Sequence, residues 1–208
     1  MSVRNAWRAA LLTAVAAASV LVLTVPRWKS AQQHANAAPS VESDRGESKL
    51  ENAAFGAGCF WGVQAAFDQM KGVVSSEVGY MGGHTKNPTY KEVCTDRTGY
   101  AEVVRLEFDP SVVSYRKLVD FFWRIHDPTT NNRQGPDFGS QYRSVIFFYL
   151  PEQKQIAEAS KEEVDKSGKF RRPIVTEIVP ATDFYRAEDY HQKYYKTHNI
   201  QCHAVSDE

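Results

Sequence analysis

Residues 53–62 read Ala53-Ala54-Phe55-Gly56-Ala57-Gly58-Cys59-Phe60-Trp61-Gly62, and this stretch decides how the chain folds. The run 53–57 is small, apolar and contains a glycine, which is typical of a short buried strand or of the turn that leaves one. The apolar residues that follow fall at helical spacing, at Phe60, Val63, Phe67 and Met70. The pattern therefore places Cys59 where a strand turns into a helix.

A cysteine at a helix start has unpaired backbone N–H groups beside it, and the helix dipole lowers the pKa of its thiol. Phe60 and Trp61 follow Cys59 directly, so the thiolate would lie beside an aromatic pocket that suits attack on a small, soft, neutral group. The alternative is a buried structural cysteine between core aromatics, because free cysteine is commonly buried. Spacing alone leaves both interpretations open.

The remaining chain alternates strand and helix patterns, which predicts a two-layer α/β domain. Predicted strands are Val73–Tyr80, Tyr100–Phe108, Tyr142–Leu150 and Ile174–Val179. Predicted helical segments are a turn over Thr89–Cys94, a helix capped by Ser114 with its apolar stripe at Leu118, Phe121, Phe122 and Ile125, a charged helix over Pro151–Ser167, and a final helix over Ala187–Thr197. The segment His126–Gln141 is predicted to be a long loop.

Glu102 belongs to a predicted strand face whose other members are apolar or aromatic: Tyr100, Val104, Leu106 and Phe108. This alternation predicts that the Glu102 carboxyl points toward the core, where burial without a cationic partner raises its pKa. A carboxyl that stays neutral near pH 7 can donate a hydrogen bond or a proton. The alternative is a glutamate on a solvated face near the strand end.

The N-terminus has the pattern of a targeting segment. Arg4 and Arg8 precede the apolar run Ala9–Val25, so we expect residues 1–28 to be a signal peptide or, since about 17 apolar residues is the short end for a span, an uncleaved membrane anchor. Residues 29–52 are polar and read as a flexible linker. Residues 53–208 are then one catalytic domain with its own core.

Composition excludes several other classes of function. The formal net charge is +0 and there is no long run of like charge, so nothing points to nucleic acid. Cys59, Cys94 and Cys202 are too few and too scattered for a disulfide scaffold and lack zinc-site spacing. His198, Cys202 and His203 form a loose cluster without a carboxylate at ligand spacing, so we expect no metal and no cofactor.

Five motifs occur in one order and spacing: Gly58–Gly62, Tyr80–Tyr90, Gly99–Glu102, His126-Asp127-Pro128 and Gly135–Ser144. Together they resemble the peptide methionine sulfoxide reductase A family, which acts on the S epimer of the sulfoxide. The resemblance runs from about Ala53 to about His203. It implies an α+β sandwich whose mixed sheet has a ferredoxin-like βαββαβ core and long loops.

The resemblance also implies a role for each site residue. Cys59 attacks the sulfoxide sulfur and Glu102 supplies a proton. The groups that bind substrate are the aromatic wall for the methyl group, the tyrosines that hold the oxygen, and an acid that holds substrate backbone or water: Phe60, Trp61, Tyr90, Tyr142 and Asp137. His126 and His191 lie in similar regions, where satisfied structural histidines are the favoured interpretation.

Recycling in this family passes through a disulfide. Cys202, near the C-terminus, is the expected resolving thiol, and Cys94 is interpreted as structural. The implied reductant is thioredoxin or a thioredoxin-like protein, and it must be extracytoplasmic if the N-terminus exports the domain; otherwise the enzyme is cytoplasmic. We expect a monomer that acts on oxidised proteins and on the free amino acid.

Two other classes stay open on the residues alone. A thiol peroxidase would share the thiolate at a helix start but would require a basic residue beside it, and none lies within several positions of Cys59. A non-enzymatic envelope protein could bind methionine-rich partners through the aromatic patch. Turnover of methionine sulfoxide with dithiothreitol separates these classes.

Overall fold

The structure is a computed structural model that describes residues 49–201. Within them, the strands in chain order are β1 (Glu51–Ala57), β2 (Val73–Met81), β3 (Ala101–Phe108), β4 (Arg133–Gln134), β5 (Asp137–Phe138), β6 (Ser144–Phe148), β7 (Glu177–Pro180) and β8 (Tyr185–Arg186). The helices are α1 (Phe60–Phe67), α2 (Tyr90–Val93), α3 (Tyr115–Phe122), α4 (Pro151–Lys166) and α5 (Tyr194–Thr197).

The strands form a six-stranded sheet in the order β7-β6-β1-β3-β2-β8 and a separate β4-β5 hairpin. Its central part, β6-β1-β3-β2, is antiparallel throughout. Helix α1 connects β1 to β2 and α3 lies between β3 and β6, which gives the split βαββαβ arrangement of a ferredoxin-like core. The predicted fold is therefore confirmed. After α4, strand β7 returns parallel to β6, so the sheet is mixed.

The main core lies between one face of the sheet and helices α1, α3 and α4. Phe55 of β1 stacks on Phe67 of α1 at 5.1 Å between ring centroids and packs against Phe122 of α3 at 5.4 Å. Ser114 caps α3 as predicted, since its side chain accepts a hydrogen bond from the Lys117 N–H. The opposite sheet face carries a smaller apolar cluster.

The sequence-based boundaries are wrong in the C-terminal third. The predicted helix over Ala187–Thr197 is instead a 3₁₀ turn at Asp189–His191 followed by the short helix α5. Lys193 has a φ of 52°, which breaks the helix between them, and the Gln192 side chain bonds the main chain of Val78 instead of facing solvent. The strand predicted over Ile174–Val179 begins only at Glu177.

Strand β1 begins at Glu51, two residues before the expected start of the domain. The expected targeting segment 1–28, most of the expected linker and Cys202 lie outside the described residues. No helix within residues 49–201 is long and apolar enough to cross a membrane.

Candidate functional site

The candidate site lies at the edge of the sheet where β1 and β2 end and where β3 and β6 begin. Cys59 stands directly before α1, as predicted, and it is half-buried. Gly58 gives the chain its turn, with a φ of 90°. A Cβ at this position would lie 2.6 Å from Cγ of Gln134, so the turn requires glycine both for its φ and for the close approach of that side chain.

Burial dominates the electrostatics of the Cys59 thiol. It raises the pKa of Cys59 to about 11, and the negative charge available at Glu102 adds to the increase. The backbone N–H groups of Trp61 and Gly62 act in the opposite direction, but their effect is smaller. The helix start therefore lowers this pKa as expected, but burial outweighs its effect. Cys59 is a neutral thiol at pH 7 when no substrate is bound.

Glu102 projects from the face of β3 that packs on α1, as the alternation predicted, and it is only 1% exposed. Its Oε2 accepts a hydrogen bond of 3.0 Å from the backbone N–H of Phe60, the first residue of α1. Burial raises the pKa of Glu102 to about 8, although the Phe60 N–H opposes the increase. At pH 7 the carboxyl is therefore mostly protonated, and it lies beside the residue that follows Cys59.

Three further predicted residues face the same site from two loops. Tyr90 begins α2, which a Thr89–Glu92 capping box initiates. Asp137 lies in β5 and Tyr142 ends a 3₁₀ turn over Ser140–Tyr142. Burial raises the pKa of both tyrosines, that of Tyr142 to about 12, and Glu102 raises both further. Asp137 in turn raises the pKa of Glu102 and Cys59, so these groups act on one another across one site.

Aromatic side chains form one wall of the site. Phe60 is fully buried, with its ring centroid 6.0 Å from that of Tyr80 and 5.1 Å from that of His191. Trp61 is half-buried and stacks on Tyr194 at a centroid distance of 3.7 Å and an interplanar angle of 7°. An apolar surface of this kind suits a methyl-sulfur group, because sulfur and aromatic rings pack favourably.

His191 is the main residue whose place at the site sequence reasoning missed. It is 1% exposed, and its Nδ1 accepts a hydrogen bond of 2.9 Å from Trp61 Nε1. Its ring also packs at 4.4 Å from that of Tyr90. Its buried Nε2 has no hydrogen-bond partner among residues 49–201. The sequence does carry a signal for the place of His191 at the site. Three residues spaced three apart, Glu188, His191 and Tyr194, all contact predicted site residues.

His126, by contrast, is a partly buried histidine whose two ring nitrogens both have partners, in line with its sequence interpretation. Its Nδ1 lies 2.8 Å from the carbonyl oxygen of Phe122, and its Nε2 lies 2.7 Å from Oγ of Ser144. Ser144 Oγ is in turn 2.7 Å from Oγ1 of Thr176. Burial lowers the pKa of His126 to about 4, so the ring is neutral at physiological pH.

The second cysteine, Cys94, is exposed. Cys94 directly follows α2, and the Cys94 thiol and the Tyr90 side chain shift each other's pKa. Cys202, the expected resolving thiol, and its neighbour His203 lie beyond the last described residue. His198 stacks on Tyr194 at 3.9 Å. Between residues 49 and 201, no three His, Cys, Asp or Glu side chains are grouped so that they could hold a metal ion.

Comparison with known proteins agrees with this geometry. The family model described as peptide methionine sulfoxide reductase matches residues 51–208. A peptide methionine sulfoxide reductase MsrA from Methanoculleus marisnigri is 64% identical over 160 residues, which cover 76% of this chain and 98% of that relative.

Solved structures are also similar. Methionine sulfoxide reductase A of Corynebacterium diphtheriae is 40% identical with a TM-score of 0.66, and the match covers 76% of this chain and 79% of that one. Mxr1 from Saccharomyces cerevisiae in complex with Trx2 is 29% identical with a TM-score of 0.51, and the match covers 71% of this chain and 86% of that one.

Proposed function

Since the chain belongs to the peptide methionine sulfoxide reductase family and catalyses thiol-dependent reduction of methionine sulfoxide, we propose that Cys59 is its nucleophile and Glu102 its proton donor. One observation carries the proposal. A buried carboxyl with a pKa of about 8 accepts the N–H of the residue that follows the thiol, so a protonated acid lies beside a cysteine in a site lined with aromatic rings. A neutral site of this kind fits a neutral sulfoxide.

Substrate binding follows from the two sides of the site. We propose that the rings of Phe60 and Trp61 contact the methyl group and that the hydroxyls of Tyr90 and Tyr142 hold the sulfoxide oxygen near Glu102. Both phenols keep their protons at physiological pH, since the usual pKa of 10.0 already lies above it and burial raises the pKa of both further. Asp137, in the hairpin that faces Glu102, holds substrate backbone or water. Fixed positions for methyl and oxygen select the S epimer.

The proposed reaction balances without an external proton. Glu102 protonates the sulfoxide oxygen while the Cys59 sulfur, having lost its proton, attacks the sulfoxide sulfur. This attack forms a bond between the Cys59 sulfur and the substrate sulfur. That S–S bond and the S–O bond of the substrate then break as the hydroxyl moves to the Cys59 sulfur. One bonding electron pair stays on the substrate sulfur, methionine is released, and Cys59 is left as a sulfenic acid. The thiol proton restores Glu102. The sulfoxide gains two electrons and Cys59 loses two.

Recycling then requires a second thiol. We propose that Cys202 attacks the sulfenic acid, which forms a Cys59–Cys202 disulfide and releases water. A thioredoxin-type dithiol reduces this disulfide by exchange and becomes oxidised itself; the complex of the related Mxr1 with Trx2 supports this class of partner. We further propose that the enzyme is a monomer and that it repairs oxidised proteins as well as the free amino acid.

We propose an extracytoplasmic location, with residues 1–28 as a signal peptide or anchor, residues 29–52 as a linker and residues 53–208 as the catalytic domain. The apolar run Ala9–Val25 behind Arg4 and Arg8 supports this. The reductant must then also be extracytoplasmic. Mass spectrometry of the mature N-terminus tests it: an intact N-terminus in a protein that fractionates with the cytoplasm would contradict the assignment.

The proposed substrate class is tested with separated epimers. The enzyme should reduce N-acetyl-methionine S-sulfoxide with dithiothreitol and should act poorly on the R epimer, because oxygen and methyl would then exchange places between the tyrosines and the aromatic wall. Equal rates on the two epimers would contradict the proposed arrangement of the site.

A further inference from the structure

Glu188 joins three parts of the site that are far apart in sequence. Its Oε1 accepts a hydrogen bond of 2.9 Å from the backbone N–H of Tyr90, and its Oε2 accepts one of 2.9 Å from the hydroxyl of Tyr80. We propose that Glu188 is a positioning residue that holds Tyr90 in register with Glu102. The inference rests on the proposed role of Tyr90 as a ligand of the sulfoxide oxygen.

One of the two partners of the Glu188 carboxylate, Tyr80, belongs to the core. Tyr80 is fully buried in β2, and the sheet register places it directly opposite Glu102 of β3. Its ring also packs against that of Phe60. Because its carboxylate bonds both the Tyr80 hydroxyl and the Tyr90 main chain, Glu188 fixes the position of Tyr90 relative to the part of the sheet that carries Glu102.

The other partner, Tyr90, needs such a link because its helix α2 has only four residues and lies in the loop between β2 and β3. The Thr89–Glu92 capping box shapes this loop but bonds only residues within it. The Tyr90 ring touches His191, yet a ring contact does not set the height of the main chain above the sheet. Misplacement of a catalytic contact by about 1 Å can lower a rate by on the order of a hundredfold.

The segment that carries Glu188 is held in place by other bonds. Ala187 donates its N–H to the Val78 carbonyl at 3.0 Å, and Gln192 bonds both the N–H and the carbonyl of Val78. Loss of the Glu188 carboxylate should therefore leave this segment docked on β2. The neighbouring Asp189 is a matched control, since its carboxylate pairs with Arg186 at the surface instead of with the site.

The experiment measures the N-acetyl-methionine released from N-acetyl-methionine S-sulfoxide in a single turnover without reductant, by rapid quench. Amplitude reports the fraction of competent sites and rate reports their geometry. We expect Glu188→Ala to keep an amplitude of about one per enzyme and to slow the burst by roughly tenfold to hundredfold, the range for a lost hydrogen bond to a charged group. Asp189→Ala should match wild type in both.

Glu188→Gln should restore the rate to within about threefold of wild type, because its amide oxygen can accept from Tyr90 and its NH₂ can donate to the Tyr80 hydroxyl oxygen. A wild-type rate in Glu188→Ala, or a reduced amplitude with an unchanged rate, would overturn the inference, as would a Gln variant as slow as Ala. Tyr90→Phe separates the role of Tyr90 from the role of Glu188. If the burst of Tyr90→Phe is slow and that of Glu188→Ala is fast, only the positioning role of Glu188 fails. A wild-type rate in Tyr90→Phe removes the role of Tyr90 and this inference with it.

Discussion

Replacing Glu102 with glutamine removes the proposed proton donor with little change in shape. The amide introduced by Glu102→Gln keeps an oxygen that can accept the Phe60 N–H, the 3.0 Å bond made by the carboxyl. With a pKa of about 8, the wild-type carboxyl is protonated in roughly nine-tenths of the molecules at pH 7. General acid catalysis contributes on the order of 10²–10⁴-fold in rate, so the single-turnover rate at pH 7 should fall by that factor.

The pH dependence of this deficit has a defined sign. A proton donor with a pKa of about 8 acts below that pH and is lost as the pH rises through it. The ratio of wild-type to variant burst rates should therefore decrease above about pH 8. The assay is rapid-quench release of N-acetyl-methionine from N-acetyl-methionine S-sulfoxide between pH 6.5 and 9.5, with circular dichroism to verify the fold.

The same Glu102→Gln variant should also change the pKa of the Cys59 thiol. Removing the Glu102 charge should lower the pKa of Cys59 from about 11, but burial, the larger cause, should keep it above the usual 9.0. The pH dependence of iodoacetamide labelling at the Cys59 peptide, followed by mass spectrometry, measures this. A burst rate within about threefold of wild type at pH 7, or an unchanged Cys59 pKa, would refute the reasoning.

Other consequences of the structure can be measured separately. His126 has a pKa of about 4 in the folded protein against the usual 6.5, so its contribution to stability is lost as the pH falls from 6.5 toward 4. In urea unfolding over this range, the free energy of unfolding of wild type should fall by on the order of 3 kcal/mol more than that of His126→Gln. Equal losses in the two proteins would contradict this prediction. Asp96 accepts a hydrogen bond of 2.8 Å from the Ser140 N–H and so connects the loop of Tyr90 to the turn of Tyr142. Asp96→Ala should lower kcat/KM severalfold, whereas Asp96→Asn should retain the wild-type value. Equal kcat/KM values in the two variants would argue against a role for this hydrogen bond. Cys202→Ser should keep the first turnover and lose turnover with thioredoxin, with partial rescue by dithiothreitol; loss in Cys94→Ser instead would make Cys94 the resolving thiol.

Local sequence patterns predicted the features that depend on local periodicity. The alternation along β3 gave the inward orientation of Glu102, and the switch from a small apolar run to helical spacing placed Cys59 at a helix start. These predictions succeeded because side-chain direction in a strand or helix follows from residue spacing alone.

Features that depend on tertiary contacts were not accessible in this way. The Cys59 pKa is raised because folding buries the thiol, and no local pattern reports how much solvent is removed. The C-terminal segment was expected to be helical, but Gln192 bonds the edge of β2 and Lys193 adopts a left-handed backbone. His191 was underrated for the same reason, since only the fold brings it to Trp61, 130 residues away in sequence.

The most direct test of the account is a single turnover of Cys59→Ser beside wild type, with N-acetyl-methionine S-sulfoxide and no reductant. Wild type should release about one equivalent of N-acetyl-methionine with loss of the free Cys59 thiol, whereas the variant should release none, because a serine hydroxyl cannot supply the thiolate. Folded Cys59→Ser protein that still releases an equivalent of N-acetyl-methionine would contradict the assignment of Cys59 as the nucleophile.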